Sequence, residues 1–210
     1  MTTVSEPSQV DEVAPSSPER IRHAALANFA VHGIASTSLR AVAATAGVSL
    51  GMVQHHFATK SSLIKAVDDH VLALLIGAMS QPIPEPPADS ITDIGSRVSD
   101  LIANHPEVAA YVSRAMVDGS PLGAVLFDAL MDVGLSRWKL RAERGEVGPD
   151  VDLVWATINA LVLAVGAISL RAHVDRHLPE PFTSPAQLQR WQDATDTLLR
   201  DGLLGRPAGD

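Results

Sequence analysis

Cysteine is absent from the 210 residues, which removes disulfide frameworks, thiolate metal sites and thiol nucleophiles together. Aromatic residues make up only 4% against a hydrophobic content of 46%, so the core must be packed through Ala, Leu and Val, a composition that favours helices over strands. The N-terminus lacks the basic-then-apolar order of a secretory leader, because Glu6, Asp11 and Glu12 stand where positive charge would be needed. A cytoplasmic protein is expected, a setting with which the missing cysteines agree. No fixed-period repeat is present. Nor is there a nucleophile–base–orienter set or a phosphate loop, so an enzyme is not expected.

Acidic residues outnumber basic ones, and the formal net charge is −8. Its distribution matters more than its sum. Residues 1–19 hold four acids and no base; residues 20–67 hold Arg20, Arg22, Arg40, Lys60 and Lys65 and no acid; the remainder holds eleven bases against twenty acids. A polyanion is attracted to the middle segment and repelled by the rest, the asymmetry expected of a molecule that docks one end on phosphate.

Helix punctuation is dense. Residues 1–16 are rich in Ser, Pro and Glu without a sustained period, and read as a flexible N-terminal arm. Ser17 before Pro18 reads as an N-cap with proline at the first helical position, and Ile21, Ala24, Ala25, Leu26, Phe29 and Ala30 then mark one buried helical face up to Gly33. A second helix starts at Thr37 or Ser38 and stops at Gly47; a third, short one is capped by Ser49 and closed by Phe57. Two short helices joined by a three- to four-residue turn with a glycine make a helix-turn-helix. Thr59 caps a fourth helix that runs on until PIPEPP at 82–87, which makes the domain linkage helical. Ser90 caps a further helix to about Asn104, Pro106 opens another, and Pro121 a third reaching about Glu143. Long helices follow over about Pro149–His177 and from Pro185 to about Leu204, so strands have almost no room. The expected fold is all-α: an N-terminal three-helix helix-turn-helix DNA-binding domain over 17–64, joined by a helix to a C-terminal helical ligand-binding and dimerisation domain over 65–210.

In the short third helix, Ser49, Leu50, Gly51 and Met52 would enter a groove while Val53 and Phe57 pack back on the core. Gly51 permits close approach of backbone to DNA. Backbone amides at helix starts, the hydroxyls of Thr37, Ser38, Ser49 and Thr59, and the Lys60 ammonium can hold phosphates, with Arg40 adding charge; such contacts position without choosing sequence. Choice falls to Gln54, able to bond a base or a phosphate, and to Leu50 or Met52 against a thymine methyl. His55 and His56 project about 100° apart on a helix, so they suit groove and core roles better than chelation of one metal.

The stretch 33–67, GIASTSLRAVAATAGVSLGMVQHHFATKSSLIKAV, resembles the TetR-family DNA-binding domain. The family pattern falls on Thr37 and Ser38, Val42 and Ala43, Ala46 to Ser49, Gly51, His55 to Phe57, and Lys60, several elements in register over 33–67. Gln54 departs from it, standing where tyrosine is common. The resemblance implies a homodimer on a palindromic operator, and a small, apolar effector that releases the DNA. It also implies that the last two long helices, about 150–177 and 185–204, pair with their twins as a four-helix bundle. The alternative function is a ligand-independent DNA-binding or partner-binding architectural protein.

From Leu153 to Leu170 no residue is formally charged, the lower limit of a membrane span. Thr157, Asn159 and Ser169 within it and Asp150 and Asp152 before it argue for burial in protein instead. The small residues Ala160, Ala164 and Ala167 would let a twin helix approach, and Leu188, Trp191 and Leu198 supply the dimer face of the last helix. Tyr111, Met116, Phe127, Met131, Trp138 and Trp155, with Asn104, His105 and Asn159 as polar handles, are the candidate lining of an effector cavity. His173 and His177 have the i, i+4 spacing of a helical metal pair, with Asp175 between them, but no HExxH-type base accompanies them, and neither a metal nor a cofactor is expected.

Overall fold

The computed structural model describes residues 15–82, 84 and 90–203. Residues 1–14, most of the expected N-terminal arm, and most of the proline-rich stretch after 82 lie outside the described residues, as does the expected helix end at Leu204. Ten α-helices and no strand are found among the described residues. They are α1 (Ser17–His32), α2 (Leu39–Ala46), α3 (Leu50–His56), α4 (Lys60–Met79), α5 (Ser90–Asn104), α6 (Pro106–Val117), α7 (Pro121–Glu143), α8 (Leu153–Ser169), α9 (Arg171–Val174) and α10 (Pro185–Leu203), with a 3-10 turn at Asp175–His177.

Capping chemistry sets most of these boundaries. The first helix is capped one residue earlier than its proline suggests: the N–H and the hydroxyl of Ser16 both donate to the Glu19 carboxylate at 2.7 Å, which leaves Ser17 as the first helical residue and Pro18 as the second. Gly47 ends α2 at φ 65°, ψ 39°, a left-handed conformation that a β-carbon would strain. Arg20 reaches across from α1 to donate to the carbonyls of Ala46, at 2.7 Å, and Gly47, so the turn is clamped from outside as well.

The expected long helix over Pro149–His177 is broken. Asp152 caps its start, accepting from the amides of Val154 and Trp155, and the helix ends at Ser169 with a 65° bend into Arg171–His177. No single helix among the described residues is long and apolar enough to cross a membrane. The break also separates His173, in α9, from His177, in the 3-10 turn.

One hydrophobic cluster runs from Ile21, Phe29, Val42 and Val53 through Leu63, Val67 and Val71 to Val108, Tyr111 and Leu126. Core packing therefore continues from the helix-turn-helix through α4 into α6 and α7. Two smaller clusters flank it: Ile91, Trp138, Ala156 and Leu199, and Ile102, Ala109, Phe182 and Leu188. At the α6–α7 corner a β-carbon on Gly123 would meet the Ala115 carbonyl, which already accepts from the amide and hydroxyl of Ser120 at 3.1 Å, so only glycine fits that approach.

Candidate nucleic-acid interface and interior cavity

The third helix is held to the domain by Val53, fully buried, and by Phe57, which packs against the main cluster; Leu50 is half-buried. Its remaining surface turns outward: Ser49, Gly51, Met52, Gln54, His55 and His56 are exposed. The two histidine rings stand edge to face, 5.1 Å between centroids and 70° between planes.

Ser38, Ser49 and Thr59 are N-caps, and each side-chain oxygen accepts from an amide of its own helix: Ala41 at 3.1 Å, Met52 at 3.1 Å and Ser62 at 3.0 Å. Capping uses the lone pairs and leaves the hydroxyl hydrogen to donate. Capping and phosphate binding are thus compatible on one oxygen, and three helix N-termini with their partial positive charge come with them. Arg40 is exposed on α2, and Lys60 donates to the Ala35 carbonyl at 3.4 Å from the start of α4. Thr37 does not join this surface. It is buried, its hydroxyl donating to the Gly33 carbonyl at 2.8 Å, because the chain needs that bond to turn from α1 into α2.

Gly51 is informative by what surrounds it. An added β-carbon would meet only the Ser49 hydroxyl, at an ordinary 3.8 Å, so nothing within the chain requires glycine there. Gly51→Ala should raise helix stability by about 0.5–1 kcal/mol. The same variant should weaken specific DNA binding tenfold or more by holding the backbone off the groove. Thermal melts and gel-shift titrations on one preparation separate the two effects; unchanged DNA affinity would contradict a groove-facing Gly51.

Behind this domain an interior cavity of about 180 Å³ lies between α4, α5, α6, α7, α8 and α10. Of the candidate lining residues, Met116 and Trp138 stand on its wall. The other aromatic candidates do not. Tyr111 faces the opposite side of α6, where its ring stacks on Phe29 at 6.3 Å and its hydroxyl donates to Asp68 at 2.7 Å. Phe127 and Met131 are half-buried on α7 outside the cavity wall, Asn104 is exposed at the end of α5, and His105 is half-buried at the start of α6. Trp155 and Asn159 lie on the exposed face of α8.

The residues assigned to a twin helix move the other way. Ala160 and Ala164 line the cavity, Ala167 packs on the cluster of Ile102 and Phe182, and Leu188 is buried in that cluster. Trp191 stands edge to face on Phe182, at 5.7 Å, and also lines the cavity. Only Leu198 of that set is exposed. The outward apolar stripe of α8 consists instead of Val154, Trp155, Val162 and, just past its end, Leu170, each 47–59% exposed, with Leu198 on α10 at 57%.

The sequence reading missed the polar lining of the cavity. Arg137 and Arg141 extend from α7, four residues apart and on either side of Trp138, and Arg141 lies 4.9 Å from that ring. Their i, i+4 spacing was the available signal. Gln192 and Asp196 of α10 bond to Thr92 and Ser96 of α5, about a hundred residues away, and nothing local announces such a pair. Between the domains Asp68 is half-buried; burial pushes its carboxyl above the usual range, and the Tyr111 hydrogen bond counters part of that rise. Arg114 of α6 also crosses to α1, donating to the Val31 carbonyl at 3.4 Å. No group of His, Cys, Asp and Glu among the described residues is arranged to hold a metal ion.

Residues 21–67 match the model of the bacterial regulatory proteins, tetR family. The HTH-type transcriptional regulatory protein RaaS of Mycobacterium tuberculosis is 34% identical over 113 residues, 54% of this chain and 51% of that protein. The HTH-type transcriptional repressor Rv3405c of the same organism is 38% identical over 117 residues, 56% of this chain and 53% of its own length. The chain thus spans about half the length of the curated relatives it matches. The structure of the ketosteroid transcriptional regulator KstR2 of Mycobacterium tuberculosis superposes with a TM-score of 0.72 at 17% identity, covering 94% of this chain and 100% of that one. SmeT, the repressor of the Stenotrophomonas maltophilia multidrug efflux pump SmeDEF, gives 0.69 at 18% identity, covering 93% and 94%. At these identities the likeness is one of fold.

Proposed function

We propose, from the match of residues 21–67 to the tetR family of bacterial regulatory proteins, that the chain is a cytoplasmic, homodimeric repressor of that family, released from a palindromic operator by a small molecule held in the interior cavity. The observation that carries the reading is the pair of opposed faces on one continuous core. One end offers an exposed recognition helix among three capped helix N-termini; the other encloses an apolar cavity whose walls include α6, the helix packed on α1 and α4. A single short helix reads few base pairs. Two of them held about 34 Å apart, or a multiple of it, read a palindrome, and the apolar stripe of α8 with Leu198 of α10 supplies a surface for that pairing. Several relatives named as transcriptional regulators support the regulatory reading.

Ligand and operator then compete through one equilibrium, and the coupling is reciprocal. A ligand that lowers operator affinity by some factor must lose affinity for the protein by the same factor once operator is bound, with a coupling of about 1–3 kcal/mol. Footprinting on DNA beside the coding region would locate the operator. Calorimetric titration of a cavity ligand with and without that DNA then measures the coupling, and an unchanged ligand affinity would exclude induction.

A further inference from the structure

A second recess lies apart from the interior cavity, at the joint between the helix-turn-helix and the C-terminal helices. This cleft has a volume of about 520 Å³ and is walled by residues 32–36 at the end of α1, by α4, by α6 and by the start of α7. Asp68 and Tyr111 both line it, Tyr111 from the side of α6 opposite to Ser113 and Met116, which line the interior cavity.

Asp68 is the group in this cleft without a counterpart. A carboxylate offers about four lone-pair sites, and among the described residues Tyr111 is the one hydrogen-bond donor to it, at 2.7 Å to Oδ1. Half-buried, the side chain keeps part of its surface open to the cleft. Its charge is poorly balanced as well. Lys65, the cation whose field reaches it, is bonded to Asp69 at 2.7 Å, and the Asp69 charge acts on Asp68 in the opposite sense. Arg114, the cation of the cleft wall, is turned to the end of α1: its Nη2 donates to the Val31 carbonyl at 3.4 Å, and its Nη1 would meet a β-carbon on Gly33 at 3.3 Å. Burial is accordingly the largest influence on the Asp68 carboxyl, and raises it. A partly desolvated carboxylate with an open oxygen is best completed by a donor that carries positive charge, because such bonds are shorter and roughly twice as strong as neutral ones.

We infer that the cleft between the domains binds an organic ammonium ion, its N–H groups donating to Asp68 Oδ2 and its apolar body lying on Ile34, Ile64 and Leu122. The space is more than three times the ~150 Å³ apolar cavity that accepts benzene, which leaves room for a ring and a short arm. Such a ligand touches helices of both domains at once, and its recognition is independent of what the interior cavity holds.

The test compares 2-phenylethylamine, 2-phenylethanol and 3-phenylpropionate by calorimetry on the full chain at low salt and about pH 7.5, where the amine is protonated. The amine should bind at least tenfold more tightly than the alcohol, and the acid no more tightly than the alcohol. Asp68→Asn, which keeps an acceptor for the Tyr111 hydroxyl, should bring amine and alcohol within twofold of each other. Asp118→Asn, at the other carboxylate of the cleft, should leave the tenfold preference in place. The amine should also raise the melting temperature of the wild type and not that of Asp68→Asn. If Asp68→Asn lacks native circular dichroism, the wild-type ratio and Asp118→Asn decide. Equal binding of amine and alcohol, or no binding of the amine, would overturn the inference. So would a preference that survives Asp68→Asn or vanishes with Asp118→Asn, since the ammonium would then sit elsewhere, and so would tighter binding of the acid, which would give the cleft to Arg114.

Discussion

Val162→Asp is expected to turn the proposed dimer into a folded monomer and to lower operator affinity at least a hundredfold. Val162 is 59% exposed on the face of α8 that points away from the cavity, so a carboxylate there stays solvated in the isolated chain and costs little beyond helix propensity. In a two-fold interface formed by this stripe, each copy would contribute an unpaired charge. Desolvating one carboxylate without a partner costs several kcal/mol, enough to separate subunits that meet through a modest apolar face. A monomer presents one recognition helix, and the loss of the second half-site carries the loss of affinity. Sedimentation at micromolar concentration with gel-shift titration on the footprinted operator measures both. Ala164→Asp, in the cavity wall, should cost more stability than Val162→Asp, because the apolar wall there offers the charge no partner. A Val162→Asp protein that stayed dimeric would place the subunit contact elsewhere.

That contrast shows where the sequence was legible. Helix ends could be read because capping is local: Ser49, Thr59, Pro106, Pro121 and Pro185 stand at or next to the starts they suggested. Even the one-residue error at α1 had a local sign, since Glu19 lies three residues after Ser16. The helix-turn-helix was readable for the same reason, because Gly47 and the buried Val42, Ala43 and Val53 fall within a dozen residues. The orientation of α8 was not. A helix apolar on nearly every side has no polar face to fix its rotation, so its sequence does not tell that Ala160 and Ala164 line the chain's own cavity while Trp155 lies outside. The break at Leu170 was hidden likewise, with neither proline nor glycine to mark it; Ser169 bonds Ser113 there, and Val174 and Leu178 fold back on the cluster of Phe182. Tyr111 was misplaced because α6 is buried on two faces: Ala109, Ser113 and Met116 turn to the cavity, while Val108 and Tyr111 turn to the core shared with α1 and α4.

This two-faced packing of α6 makes Tyr111→Phe the most informative change between the domains. The tyrosine hydroxyl holds the Asp68 carboxylate of α4 at 2.7 Å, and on α6 Tyr111 stands between the cavity-lining Ala109 and Val112. Burial raises the Asp68 carboxyl in the folded state, so its contribution to stability is present at low pH and lost as pH rises through that raised value; near neutrality the ionised group is a liability that the Tyr111 hydroxyl offsets. Removing the hydroxyl should cost about 1–2 kcal/mol at neutral pH, the lower part of the range for an orphaned partner because Asp68 is only half-buried. The deficit should shrink as pH falls and Asp68 takes up a proton. Asp68→Asn keeps an acceptor without the charge, so it should be at least as stable as wild type near neutrality and show a flatter pH dependence. Urea titrations from pH 4 to 8, on the order of one unit apart, give both curves. The functional consequence follows from geometry. If α6 transmits ligand binding through this bond and the Arg114 contact with Val31, Tyr111→Phe should leave ligand affinity without DNA nearly unchanged and reduce the factor by which ligand weakens operator binding. An undiminished factor, with the stability loss present, would make the bond a purely structural brace and move the coupling to the apolar contacts of α4 and α7.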